Sequence, residues 1–204
     1  MQQKLLNDEK LANYIKKEML KTNKNKDSYF AIQKDDEDWL ITEKFNIFRV
    51  NNKKYPKSYK ALKERLQSLF EINLDLNMKD YAFISPTENK DFKEMNVLDL
   101  KQVLSFVEIT DLKQLEVTNY LFNRQSGEGL YKRICVQDEN IIFVDDKFLS
   151  LLNEYYKDYT YTDNRAVIVY NEKEEKIEAF LLSVKCEDIE VNNIKEMFLE
   201  KEKT

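Results

Sequence analysis

A chain of 204 residues, 42% hydrophobic and 12% aromatic, can bury a packed interior, and its 35% of charged residues can cover the surface at a net charge of −5. It has no histidine and only two glycines, Gly127 and Gly129, where an average chain carries roughly 7%, or about 14. These absences exclude a dinucleotide fingerprint, a nucleophile elbow, Ser-His and Cys-His pairs, His-ligated zinc and haem on a proximal His.

Taken in chain order, residues 7–21 are predicted helical, with Asn7 or Asp8 as cap and Leu11, Ala12, Ile15 and Met19 on one face. Three strand candidates follow: Tyr29–Ile32, Trp39–Thr42 and Phe45–Val50, the first two separated by the acidic turn Lys34–Asp38. With no glycine in these connections, longer turns are expected in preference to tight ones. The second helix is the clearest. Pro56 suits its entry, Ser58 can cap it, and Leu62, Leu66, Leu69 and Phe70 form its apolar stripe. Lys57, Lys60, Lys63 and Gln67 fall on the opposite face, with Lys53 and Lys54 just upstream.

Residues 71–96 are less regular, and Pro86 marks a loop. The tetrapeptide Asp99-Leu100-Lys101-Gln102 returns as Asp111-Leu112-Lys113-Gln114, which reads as two Asp caps on short helices or strand edges. Ser126–Gly129 is the flexible point. Strands are predicted at Tyr131–Val136 and Ile141–Val144. A helix then follows, capped by Asp145 or Asp146 and carrying Phe148, Leu151, Leu152, Tyr155 and Tyr156 on one face. A hairpin of Ala166–Tyr170 and Ile177–Val184 and a short tail helix with Ile194, Met197 and Phe198 complete the chain. The sum is α+β: antiparallel strands with packed helices in two similar-sized halves. Residues 1–95 form a basic lobe and 96–204 an acidic lobe of one compact unit.

The charge is divided along the chain. Residues 1–65 hold 16 Lys and Arg against 10 Asp and Glu, and the remainder holds 17 against 28. Such a chain can offer a basic face to nucleic acid and an acidic face to a basic protein. Cys135 and Cys186 fit ordinary partly buried thiols, not a disulfide framework. The N-terminal residues lack the apolar core of a signal peptide, and no apolar run approaches the ~18 residues of a membrane span. The expectation is a cytoplasmic protein with no membrane contact. The abundance of Lys, Glu, Asn, Ile and Tyr resembles coding in low-GC bacteria and their phages.

Candidate nucleic-acid contacts are Lys53, Lys54, Lys57, Lys60 and Lys63, because helix-borne lysines bind phosphates without reading bases. Candidate partner contacts are Tyr159, Tyr161 and Arg165, residue types that anchor interfaces, together with Glu172, Glu174 and Glu175. Glu178, Glu187, Asp188 and Glu190 extend the acidic set, whose carboxylates can stand where a basic partner expects phosphates. Asp35–Asp38 and Asp145-Asp146 are the carboxylate clusters that a metal would need, and capping and turn solubility explain them as well. No cofactor or metal is expected.

Two segments resemble the DNA sliding-clamp family of bacteria and their phages. Leu40-Ile41-Thr42-Glu43-Lys44-Phe45-Asn46-Ile47 is similar to the family's strand-turn-strand around a Thr-Asp-Gly-His-type turn, with Glu43 and Lys44 replacing the Asp and Gly. Phe180-Leu181-Leu182-Ser183-Val184-Lys185-Cys186 resembles its C-terminal strand, with Ser183 replacing the Pro, and Asp145–Leu149 suits the same layout. The resemblance implies an α/β clamp-like domain and basic helices facing DNA, here Lys16, Lys17 and Lys21 on the first helix and Lys57, Lys60 and Lys63 on the second. With the missing histidine and scarce glycine, the expectation is a non-enzymatic phage or mobile-element protein with a clamp-like domain that binds protein, nucleic acid or both. Two other readings stay open: an anti-defence inhibitor of the anti-CRISPR type working through the acidic surface, and a metal-dependent nuclease.

Overall fold

The computed structural model describes residues 4–18, 30–43, 46–71, 73–74, 99–123, 131–137, 140–163, 165–184 and 194. Helix α1 (Asp8–Lys17) starts where Asn7 accepts the Lys10 N–H at 3.0 Å, and it buries Leu11, Ala12, Tyr14 and Ile15. Strands β1 (Phe30–Asp35), β2 (Asp38–Glu43) and β3 (Asn46–Val50) form an antiparallel meander. Helix α2 (Pro56–Phe70) follows, with proline in its first turn as expected. Its cap differs from expectation. Ser58 is buried inside the helix, and the free N–H groups of Lys57 and Ser58 are taken at 3.1 and 2.8 Å by the Asp8 carboxylate. The first residue of one helix therefore caps the other.

The expectation of long turns is corrected as well. Asp35 pairs with Asp38, leaving a two-residue turn in which Asp36 takes the left-handed conformation at φ 55°. Glu43 pairs with Asn46, again two residues apart in the connection. Aspartate tolerates the left-handed region better than most residues, which replaces the missing glycine at Asp36.

After helix α3 (Leu100–Ser105), capped by Asp99, the chain makes a two-residue strand β4 (Lys113–Gln114) and a longer β5 (Glu116–Asn123), neither foreseen from sequence. Only the first Asp of the tetrapeptide repeat is a helix cap; Asp111 closes a 3-10 turn ahead of β4. Strands β6 (Tyr131–Gln137) and β7 (Asn140–Asp145) match the predicted pair. The long helix expected beyond Asp145 is instead one turn, α4 (Asp146–Leu149), a break, and a 3-10 segment at Glu154–Tyr159. The break has a cause. Backbone groups of Leu151 and Asn153 bond to Asn7 and Leu5 at 2.8 and 2.7 Å, and Leu6 bridges Leu152, so this segment serves as a strand partner for the chain's beginning. Strands β8 (Thr160–Thr162), β9 (Ala166–Asn171) and β10 (Lys176–Leu182) follow.

The seven-stranded sheet has the order β1-β2-β3-β10-β9-β8-β4, all neighbours antiparallel, and β5-β6-β7 forms a second sheet. Phe48 and Ile47 of β3 pair with Ala179 and Phe180 of β10, so strands from both halves of the sequence share one sheet. Alternation along the strands serves two cores. Ile41, Phe48, Val167, Val169, Ala179 and Leu181 face α1, α2 and the inner side of the small sheet. Leu40, Ile47, Ile168 and Phe180 face Leu100 and Leu104 of α3. Each large apolar side chain buried in this way contributes about 1.5–3 kcal/mol. Ile194 is buried against Ile134 and Phe143 on the outer side of the small sheet. The predicted flexible point Ser126–Gly129, Met19, Lys21, Pro86, Cys186, the acidic residues 187–190 and the rest of the tail helix lie outside the described residues.

Candidate functional site

Helices α1 and α2 run side by side in the same direction: Asp8 and Glu9 meet Lys57 and Ser58 at one end, and Lys16 meets Glu64 further along. Ala61, Leu62 and Leu66 join Leu11, Ala12 and Ile15 in the core beneath. The outer side of this layer carries lysines. Lys16, Lys57 and Lys60 have side chains 53, 63 and 75% exposed. Each meets a surface carboxylate: Lys57 pairs with Glu9 at 3.1 Å, and Lys60 and Lys16 each lie 3.8 Å from Glu64. Lys63 is half-buried on the same helix. Lys53 is exposed in the β3–α2 connection and pairs with Glu37 at 2.6 Å.

Lys54 is corrected outright. Its side chain is 3% exposed, and its ammonium lies 2.5 Å from Glu178 and 2.9 Å from Glu174, out of reach of any phosphate backbone. The cause is a bulge in β10. Ile177 pairs with Tyr170 and Ala179 with Val169, so Glu178 is the extra residue, and its carboxylate is turned in beneath the start of α2. There Tyr55 donates its O–H to Glu178 at 3.1 Å and accepts the N–H groups of Leu5 and Leu6 at 3.3 Å each. Burial pushes the Glu178 carboxyl above its ordinary value, and the Lys54 charge only partly offsets this. Glu178 is therefore a buried partner of Lys54 and no part of an acidic surface.

Next to this bulge, Arg49 Nε donates to the Ile177 carbonyl at 2.9 Å. Arg49 Nη1 reaches Asp35 at 2.6 Å and Asp38 at 3.0 Å, and Lys176 reaches Asp38 at 2.8 Å. Burial raises the Asp38 carboxyl, but hydrogen bonds from Lys176 and Asn51 and the charge on Arg49 outweigh it and hold the group below its ordinary value. Asp38, Arg49, Asn51, Lys176 and Glu178 line a cleft of about 370 Å³ at the end of the sheet, between the β1–β2 turn, the β3–α2 connection and the β9–β10 turn. Its buried cations and carboxylates satisfy one another. Sequence reasoning missed Arg49, Asp38 and Lys176 as a group. The one legible signal was Glu178, a lone carboxylate inside the apolar run from Ile177 to Leu182.

The partner candidates divide. Tyr161 donates its O–H to Glu172 and stacks edge-on with Tyr170, ring centroids 6.3 Å apart. Burial and then the Glu172 contact raise the Tyr161 hydroxyl to about 12. Tyr159 packs against the main core together with Tyr156. Arg165 is exposed but forked onto Asp163 at 2.9 and 2.5 Å. It borders a shallow apolar groove of about 200 Å³ that includes Phe106 and Leu182, both exposed. Glu174 is committed to Lys54, and Glu175 sits at the β9–β10 turn with φ 52°.

Asp145 pairs with Lys132 at 3.0 Å and Asp146 with Arg133 at 2.6 Å, so both carboxylates face β6 cations. Among the described residues no three His, Cys, Asp or Glu side chains converge as metal ligands. Burial lifts the Cys135 thiol to about 12, which leaves it unreactive near neutral pH. No described helix is long and apolar enough to cross a membrane. Neither family models, curated proteins nor solved structures gave a match to this chain.

Proposed function

We propose that this chain is a non-enzymatic binding protein of a phage or mobile element, working in the cytoplasm, with a sliding-clamp-like α+β domain. Its nucleic-acid contact is the α1–α2 layer, which meets the phosphate backbone without reading sequence. One observation carries the reading: Lys16, Lys57 and Lys60 stand more than half exposed on two parallel, packed helices. Exposed ion pairs such as Lys57–Glu9 are worth little, so a phosphate can take the place of the carboxylate. The reading as a binder draws further support from the sheet-end cleft. There each buried acid and base is tied to an internal partner.

The test is an electrophoretic shift with duplex DNA of mixed sequence, comparing the native chain with Lys57→Glu/Lys60→Glu. Loss of the shifted species in the variant supports the proposal. A shift that survives the reversal removes this surface from consideration.

A second reading, an anti-defence inhibitor that blocks a nucleic-acid-binding effector, is favoured by the carboxylates of Asp36, Glu37, Glu172 and Glu175, exposed on two hairpin turns, the β1–β2 and β9–β10 turns. Charge reversal of Glu172 and Glu175 that abolishes inhibition of a purified effector supports it. The nuclease reading has weaker support, since Asp145 and Asp146 are engaged by Lys132 and Arg133.

A further inference from the structure

The lysine layer is matched by carboxylates in a pattern of its own. Glu64 projects from α2 with one oxygen 3.8 Å from Lys60, a turn earlier on its own helix, and the other 3.8 Å from Lys16 on α1. Glu9 of α1 reaches across to Lys57 at 3.1 Å. Two carboxylates thereby engage three ammonium groups and link the helices across their outer side. Both are exposed, Glu64 at 53% and Glu9 at 71%, so burial does not require their presence. A carboxylate oxygen and a phosphate oxygen make the same charge-assisted bond to an ammonium group.

Resting on the reading of this layer as a phosphate contact, we infer that Glu9 and Glu64 are built-in competitors for the nucleic-acid backbone. Each phosphate that docks on Lys16, Lys57 or Lys60 displaces a glutamate, and the displaced carboxylate is left beside a polyanion. The competition weakens the contact. Removing a competitor strengthens binding by about 1.4- to fivefold, the range that exposed ion pairs span.

The experiment is a fluorescence-anisotropy titration of the full chain against a fluorescein-labelled mixed-sequence duplex, at several salt concentrations. The variants are Glu9→Gln, Glu64→Gln, the double substitution, and Glu108→Gln. Glu108 is exposed and lies outside the helix layer, so its substitution removes the same charge elsewhere. Thermal melting verifies that all are folded. Tighter binding in the first three, with Glu108→Gln unchanged, supports the inference. Unchanged or weaker binding in Glu9→Gln and Glu64→Gln overturns it, because the glutamates would then be holding the lysines in place for the phosphates. Equal tightening in Glu108→Gln also overturns it, leaving only an effect of net charge. Absence of binding by the native chain and all variants overturns the reading of the layer itself, an outcome distinct from the other three.

Discussion

Removal of either charge from the Lys54–Glu178 pair should be expensive, and removal of both should cost much less. The pair is 3% and 1% exposed with a 2.5 Å contact. Glu178→Gln leaves the buried ammonium with Glu174 alone, 27% exposed and 2.9 Å away. Lys54→Met leaves a buried carboxylate with the Tyr55 hydroxyl and the Asn171 amide, the latter at 3.5 Å. Breaking a buried pair from one side costs about 3–5 kcal/mol. Lys54→Met falls at the lower end of that range, because the raised Glu178 carboxyl can take up a proton when its partner goes. The double variant Lys54→Met/Glu178→Gln removes both charges and keeps an acceptor for Tyr55. It should lie within about 1–2 kcal/mol of the native chain, giving a coupling of several kcal/mol. Urea unfolding followed through the single tryptophan, Trp39, which is buried in the main core, reads all four proteins. Costs that add to within about 0.5 kcal/mol refute the reasoning, since independent sites behave that way.

Three further outcomes follow from local features. Asp8→Ala removes the cap of α2 and should destabilise the chain by about 0.5–2 kcal/mol in urea, with Asp8→Asn retaining part of that loss. Glu175→Gly relieves a left-handed non-glycine residue and should stabilise by about 0.5–1 kcal/mol after the unfolded-state cost of glycine, while Asp36→Gly gains less because aspartate already tolerates that region. Asp38, held below its ordinary 3.8, adds stability that is present above that pH and lost as pH falls through the lower folded value. Acid titration of unfolding should therefore show a shallower loss of stability below about pH 4 in Asp38→Asn, which starts from a lower plateau at neutral pH.

Much of the fold was legible because period and local chemistry agreed. The stripe from Leu62 to Phe70 behind Pro56 placed α2 at its observed start, and the β-branched and aromatic runs marked β2, β3, β6, β7, β9 and β10. The failures have separate causes. The helix expected after Asp145 had the right spacing, but Leu151 to Asn153 spend their backbone groups on Leu5 to Asn7, a tertiary demand that spacing does not show. Strand β5 carries a register shift between Val117 and Leu121 that disturbs its alternation. The tight Asp36-Glu37 turn went unrecognised because aspartate there does the work of glycine. For the candidate site, the exposed lysines of α2 were readable from the amphipathic pattern. The fate of Lys54 was not, because it depends on a bulge at Glu178, 124 residues away.

The salt dependence of duplex binding tests the central claim most directly. If Lys16, Lys57 and Lys60 meet phosphates, log affinity should fall with log salt at a slope near −2.7, about 0.9 for each of three contacts. The slope should be the same for unrelated sequences and should collapse when the three lysines are reversed to glutamate. A folded native chain that shows no measurable binding at low salt, or binding whose slope is unchanged by the reversal, contradicts the account.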